Sequence, residues 1–224
     1  MDLNYWINTT DYTPTQLILA ALGAICWVTV YMIIIRNIRK HKFVEMPFFC
    51  VTSNIVWEFI WGFLFSDRID MGQLYVYSFR AWFFIDLIIF IGIIKYGYKQ
   101  MSLPEFVKNA KAIIVGLTII WIPIIYAFIY SDFDNHMGSQ SSYIMNLGIS
   151  MLYISMWLRI RDKEVFSPGV AWFKMIGSAF YSIYFFLAFP ENYFLQAICP
   201  TVFVIDAIYV YLITTYKGKE PALE

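Results

Sequence analysis

Long apolar stretches separated by short polar breaks set the pattern of this chain. Runs at about 15–35, 47–65, 73–95, 112–130, 141–159, 170–189 and 193–215 come close to, or exceed, the roughly 20 mostly apolar residues that a helix needs to cross a bilayer. The breaks carry the charges and turn residues: RNIRKHKFVEMP, SDRIDMG, KYGYKQMSLPEFVKNAK, SDFDNHMG, RIRDKEVFSPG and FPEN. None is long enough to hold a second domain. The pattern predicts a single all-α domain over residues 1–224, an integral membrane bundle of seven transmembrane helices.

Basic residues give the bundle a direction. Arg36, Arg39, Lys40, Lys42, Lys95, Lys99, Lys108, Lys111, Arg159, Arg161, Lys163, Lys174, Lys217 and Lys219 fall with the first, third and fifth breaks and the C-terminal tail. The opposite breaks hold only Arg68. Lys and Arg accumulate on the cytoplasmic side, so the C-terminus is expected in the cytosol and the N-terminus outside or in a lumen. An even number of spans would spoil this alternation. The polar N-terminal segment carries Asp2 and Asp11 but no Lys or Arg, so no cleaved secretory signal is expected. A bacterial inner membrane and an endoplasmic reticulum membrane fit the charge pattern equally. In the latter, Asn8-Thr9-Thr10 would read as a glycosylation sequon.

Composition agrees. The chain is 60% hydrophobic, 21% aromatic and 14% charged, whereas soluble domains are about half apolar and a quarter charged. Zero formal net charge gives no bulk attraction to nucleic acid. Cys26, Cys50 and Cys199 are scattered through apolar runs, far from His41 and His136, so neither a disulfide framework nor a structural metal is expected.

Four ionisable residues remain inside the spans: Glu58, Arg80, Asp86 and Asp206. A charge at the bilayer centre costs at least ~2.5–3.5 kcal/mol, so each should face the bundle interior and have a partner. Glu58 and Asp206 each lie near mid-span on helices entering from opposite sides, which predicts that they meet at one depth. Asn54, Trp57, Glu58 and Trp61 share one helical face, as do Trp82, Phe83 and Asp86, while Arg80 points about a third of a turn away. Asp206 shares a face with Val202, Tyr209 and Ile213, and the fifth span aligns Asn146, Ser150 and Tyr153. On a structural reading, Arg80 pairs with Asp86 or Glu58 and pins two helices. On a chemical reading, one cation for three acids leaves a carboxyl that keeps its proton in an aromatic surround, a proton donor.

Several families fail on residues. The last span has no lysine for a retinal Schiff base, and no Pro-Gln pair of the small sugar transporters occurs. The one near match to an Asp-rich diphosphate motif, DFDN at Asp132–Asn135, falls in an outer break and reads as a solvated turn. At NIVWE in the second span and VIDAIY in the seventh, with WFFID in the third and NLGISMLYISMWLR in the fifth, the sequence resembles the membrane-embedded terpene cyclases of meroterpenoid and indole-diterpene pathways. The resemblance implies seven spans and an essential acid in the second and last helices, onto which Glu58 and Asp206 map. It implies no metal or cofactor: a carboxylic acid protonates an epoxide or alkene of a linear prenyl chain, and rings close through carbocations. Asn54 would orient Glu58 by hydrogen bonding. Trp57, Trp61, Trp82 and Tyr209 would offer π faces to cations, and Arg80, Asp86 and Asn146 would complete the substrate site. The partners implied are a prenyl or epoxyprenyl substrate, which could slip in sideways between helices, and the lipid bilayer. The alternative is a proton-coupled transporter or seven-helix receptor using Glu58, Asp86 and Asp206 as an intramembrane relay or ligand site. Transporters often pair broken helices in two halves, and Pro123 of the fourth span has no matching break.

Overall fold

A computed structural model of the chain describes residues 3–217; Asp2 and Lys219 of the charge pattern lie outside the described residues. The long helices are α1 (Pro14–His41), α2 (Phe48–Phe59), α3 (Gln73–Tyr96), α4 (Ala110–Tyr130), α5 (Ser139–Arg159), α6 (Pro168–Ala188) and α7 (Tyr193–Thr215). They occupy the seven apolar runs. No strand occurs among the described residues.

Local chemistry sets several boundaries. Thr13 and Gln16 close a capping box at the start of α1, with Pro14 in the first turn. Lys42 ends α1 in the left-handed region at φ 50°. Asn192 Oδ1 accepts from Leu195 N at 3.1 Å to open α7. Pro123 and Pro200 both lie inside helices, α4 and α7, that continue through them. The chain therefore does carry a second proline-bearing span, which the sequence reading passed over.

Among the described residues, five helices are long and apolar enough to cross a membrane: α1, α3 with its 3₁₀ extension to Gln100, α4, α6 and α7. The segment Phe48–Leu64 is apolar but shorter. α5 is long enough but more polar, and the reason is visible in its packing. Ser139, Ser141, Asn146 and Ser150 of α5 are all buried, so its polar face is turned into the protein. Apolar side chains cover the outside, with Ile119, Leu158 and Tyr211 about 60–66% exposed, as a lipid-facing surface requires.

Packing orders the helices into a ring. α1 lies along α6, α6 on α7, α7 on α5, α5 on α2, and α2 on α3. A sparse contact between α3 and α1 closes it, and α4 packs outside against α2 and α3. The N-terminal segment is stitched onto the α2–α3 connection at one end of the bundle. Tyr12 OH donates to Asp70 Oδ1 at 2.7 Å, and Asn8 Nδ2 donates to Asp70 O and Asp11 Oδ2, both at 2.8 Å. The sequon amide is thus spent on structure, and Asn8 is 9% exposed.

The opposite end of the bundle is plugged by the 42–47 connection. Glu45 is fully buried, accepting from Ser167 N at 2.7 Å and Asn37 Nδ2 at 3.1 Å. Gln100 binds the same connection at three points, donating to Val44 O and Met46 O and accepting from Phe48 N, all at 2.9 Å.

Candidate active site

Inside the ring is a cavity of about 130 Å³. Its walls are Trp27 and Tyr31 of α1, Asn54, Trp57 and Glu58 of α2, and Tyr75, Phe79 and Trp82 of α3. The far wall is Tyr143, Asn146 and Ile149 of α5 with Tyr181 and Phe185 of α6. Neither α4 nor α7 contributes. The lining is mostly aromatic, and Glu58 is its one carboxyl. Glu58 is 6% exposed, and its Oε2 has no hydrogen-bond partner among the described residues.

The expected neighbours of Glu58 are rearranged. Asn54 does not orient it: Asn54 Nδ2 donates to Asp86 Oδ2 at 2.6 Å and to Tyr31 OH at 2.8 Å, which uses both amide hydrogens. The second acid beside Glu58 is therefore Asp86, brought across from α3 and 2% exposed. Asp86 stands behind Asn54, outside the lining, held by Asn54 and by the Tyr31 hydroxyl.

Asp206 was expected to meet Glu58. Instead it pairs with Lys174 of α6, both side chains being almost wholly buried. Lys174 Nζ also donates to Ser150 Oγ at 2.6 Å and lies 5.9 Å from the Trp27 ring centroid. Two expectations are corrected here. Lys174 is no loop cation, and the interior holds a counter-charge that the sequence reading did not count. The pair sits behind the α5 wall of the cavity, because Ser150 Oγ donates to Asn146 O at 2.9 Å and Asn146 lines the cavity. Asn146 Nδ2 donates to Ser178 Oγ at 3.0 Å, while its Oδ1 has no partner among the described residues.

Arg80 pairs with neither acid. After Glu58 the second helix widens into a π turn, Ile60–Leu64, where Phe65 N donates to Ile60 O at 2.9 Å. Arg80 Nε donates to Gly62 O in that turn at 2.9 Å, and its guanidinium lies 5.6 Å from each of the Phe63 and Tyr77 rings. It clamps the π turn to α3 from outside the cavity. Trp61 and Tyr209 are buried but line no part of the cavity: Tyr209 packs on Tyr153 with ring centroids 5.3 Å apart.

The DFDN turn, expected to be solvated, is exposed at Asp132 and Phe133 only. Asp134 of DFDN caps α5, accepting from Gln140 N at 3.0 Å and from the Ser141 hydroxyl. Burial pushes its carboxyl above the usual range, against the pull of those hydrogen bonds. Ser141 Oγ in turn accepts from Trp57 Nε1 at 2.7 Å, tying the loop to the cavity wall. Gly138 makes this approach feasible: its φ is +69°, and a Cβ there would lie 2.7 Å from the Trp57 ring and 2.8 Å from that of Trp61.

Of the residues singled out from sequence, Glu58, Asn54, Trp57, Trp82 and Asn146 converge on the cavity, and Asp86 stands one hydrogen bond behind. Tyr31, Tyr143, Tyr181 and Lys174 were missed. For Lys174 a signal existed, since it shares a helical face with Val170, Ser178 and Ser182, all buried.

Comparison with known proteins gives the site its context. The family profile described as Pyr4-like transmembrane terpene cyclases matches residues 8–217. The chain is 27% identical to the Pyr4-family terpene cyclase mfmH of Annulohypoxylon moriforme, across 93% of this chain and 89% of that protein. It is 26% identical to the terpene cyclase macJ of Penicillium terrestre (70% and 61% covered) and 25% identical to the terpene cyclase ascF of Acremonium egyptiacum (90% and 81%). No solved structure matches. A match that spans nearly the whole chain, around one acid-bearing aromatic cavity, settles the family: this chain belongs to the Pyr4-like transmembrane terpene cyclases.

Proposed function

We propose that the chain cyclises a linear prenyl or epoxyprenyl substrate by proton transfer from Glu58, within a seven-span bundle whose C-terminus is cytosolic. The observation that carries this reading is that Glu58 is the one carboxyl in the cavity lining and that its Oε2 has no hydrogen-bond partner among the described residues. Its proton is free to go to a substrate atom.

The step balances without a co-reactant. Glu58 gives its proton to the epoxide oxygen, the tertiary C–O bond breaks, and the neighbouring alkene closes a ring on the cation; with an alkene start, the proton goes to the terminal double bond. The last cation loses a proton from carbon to the Glu58 carboxylate, which restores the acid, so the product is an isomer of the substrate. Trp57, Trp82 and Trp27 turn π faces toward this path, each worth about 2 kcal/mol or more to a desolvated cation. A dry aromatic wall also keeps water from quenching the cation.

Asp86 and Asp206 act at one remove. Asp86, anchored by Asn54 and Tyr31, buttresses the α2–α3 wall behind Glu58. Asp206 fixes Lys174, and through Ser150 the α5 wall that carries Asn146. Asn146 Oδ1 offers an acceptor to a hydroxyl on the substrate head. The test is conversion by membrane-embedded protein of linear prenyl chains, with and without a terminal epoxide and with excess chelator. The reading requires a product of unchanged mass; a panel returned unconverted by folded protein would refute it.

A further inference from the structure

A second hollow, of about 360 Å³, lies between the N-terminal half of α1 and α3. Four of its lining residues, Tyr75, Phe79, Trp82 and Tyr181, also line the acid cavity. Its outer lip is apolar and open, with Leu74 52% and Ile25 62% exposed. It therefore joins the lipid-facing surface to the cavity across one layer of aromatic rings. The third hollow, about 350 Å³ beside Pro47 and Arg159, shares no lining residue with the acid cavity.

We propose that the α1–α3 hollow is the lateral portal through which a linear prenyl chain passes from the bilayer to Glu58, with Tyr75, Phe79, Trp82 and Tyr181 as its gate. This rests on the reading of the cavity as a prenyl cyclase site. The helix pair on either side is one of the two loosely packed seams of the ring, the other being α2–α5. Three of the gate rings, Tyr75, Trp82 and Tyr181, are only half-buried, so the gate faces both hollows. Tyr75 and Phe79 meet edge to face at 5.6 Å, and the hydroxyls of Tyr75 and Tyr181 interact across the junction between α3 and α6. Tyr181 lies flat on Gly23 of α1, where a Cβ would come within 2.8 Å of its ring. Swinging these rings joins the two hollows without disturbing the helix backbone. The occupant is a hydrocarbon chain because the passage opens to lipid, is walled by apolar and aromatic groups and ends on the unpaired Glu58 carboxyl. A phospholipid would have to leave its charged head at the lip.

The test is photolabelling in phosphatidylcholine vesicles with a linear prenyl alcohol carrying a diazirine. The unsubstituted protein is compared with Ala21→Trp, which fills the hollow from its exposed side, and with Val115→Trp, on the lipid face of α4. Expected are adducts on residues 74–82 and on cavity residues 142–149, both displaced by unlabelled prenyl alcohol. Cavity labelling should slow at least about ten-fold in Ala21→Trp and stay within about two-fold in Val115→Trp. Unchanged cavity labelling in Ala21→Trp would overturn the portal, as would adducts confined to the hollow and displaced equally by added phospholipid. Turnover in the same vesicles separates the two claims: gated labelling without cyclised product supports the portal and refutes the cyclase reading.

Discussion

Lys174 and Asp206 form a buried ion pair that joins α6 to α7 and hangs both on Ser150 of α5. It fixes the α5 wall of the cavity, and it gives Asp206 a counter-charge, whereas Glu58 Oε2 has no partner among the described residues. Removing one member leaves the other charge buried alone, a loss of about 3–5 kcal/mol. Asp206→Asn and Lys174→Met should each lower the thermal unfolding midpoint in detergent strongly. The double change Lys174→Met, Asp206→Asn should fall less than the sum of the two. Strict additivity would show that the pair does not couple the helices.

Glu45 links stability to pH at the plugged end. Burial pushes its carboxyl from 4.5 up to about 8, although Ser167 N and Asn37 pull it down. The folded state then holds a proton that the unfolded chain releases, so this contribution is complete below about pH 4.5 and is lost as pH rises to about 8. Unfolding midpoints should decline over that window, and Glu45→Gln should flatten the decline. Identical pH profiles for the two proteins would remove Glu45 from the account.

Gly138 is the tightest point between the DFDN loop and the tryptophans. Gly138→Ala puts a methyl into Trp57 and Trp61 at a left-handed position, a cost of about 1–3 kcal/mol. Turnover should fall with stability, because Trp57 is both struck by the methyl and bound to Ser141. Wild-type stability with wild-type turnover would mean that the loop does not bear on the cavity wall.

How much of this was legible in the sequence differs between fold and site. The seven helices follow the apolar runs because run length and turn residues are local properties. The face holding Asn54, Trp57 and Glu58 was readable too, since i, i+3 and i+4 spacing fixes it. Which acid lies beside Glu58 was not, because that depends on the order of helices around the ring, which no local pattern encodes. Asp86 on the adjacent α3 wins that place over Asp206 on α7. Lys174 was misassigned because a basic residue near a helix end counts toward orientation, and that rule is blind to the face on which the residue lies.

Glu58→Gln tests the central claim most directly. It keeps the side-chain shape and burial while removing the transferable proton. General acid catalysis contributes about 10²–10⁴-fold, so conversion of linear prenyl and epoxyprenyl chains should fall by at least that factor. The unfolding midpoint and the photolabelling of residues 142–149 should stay at the level of the unsubstituted protein. If Glu58→Gln cyclises the substrate at a rate within a few-fold of the unsubstituted protein, Glu58 is not the donor, and the cavity's acid must be sought elsewhere.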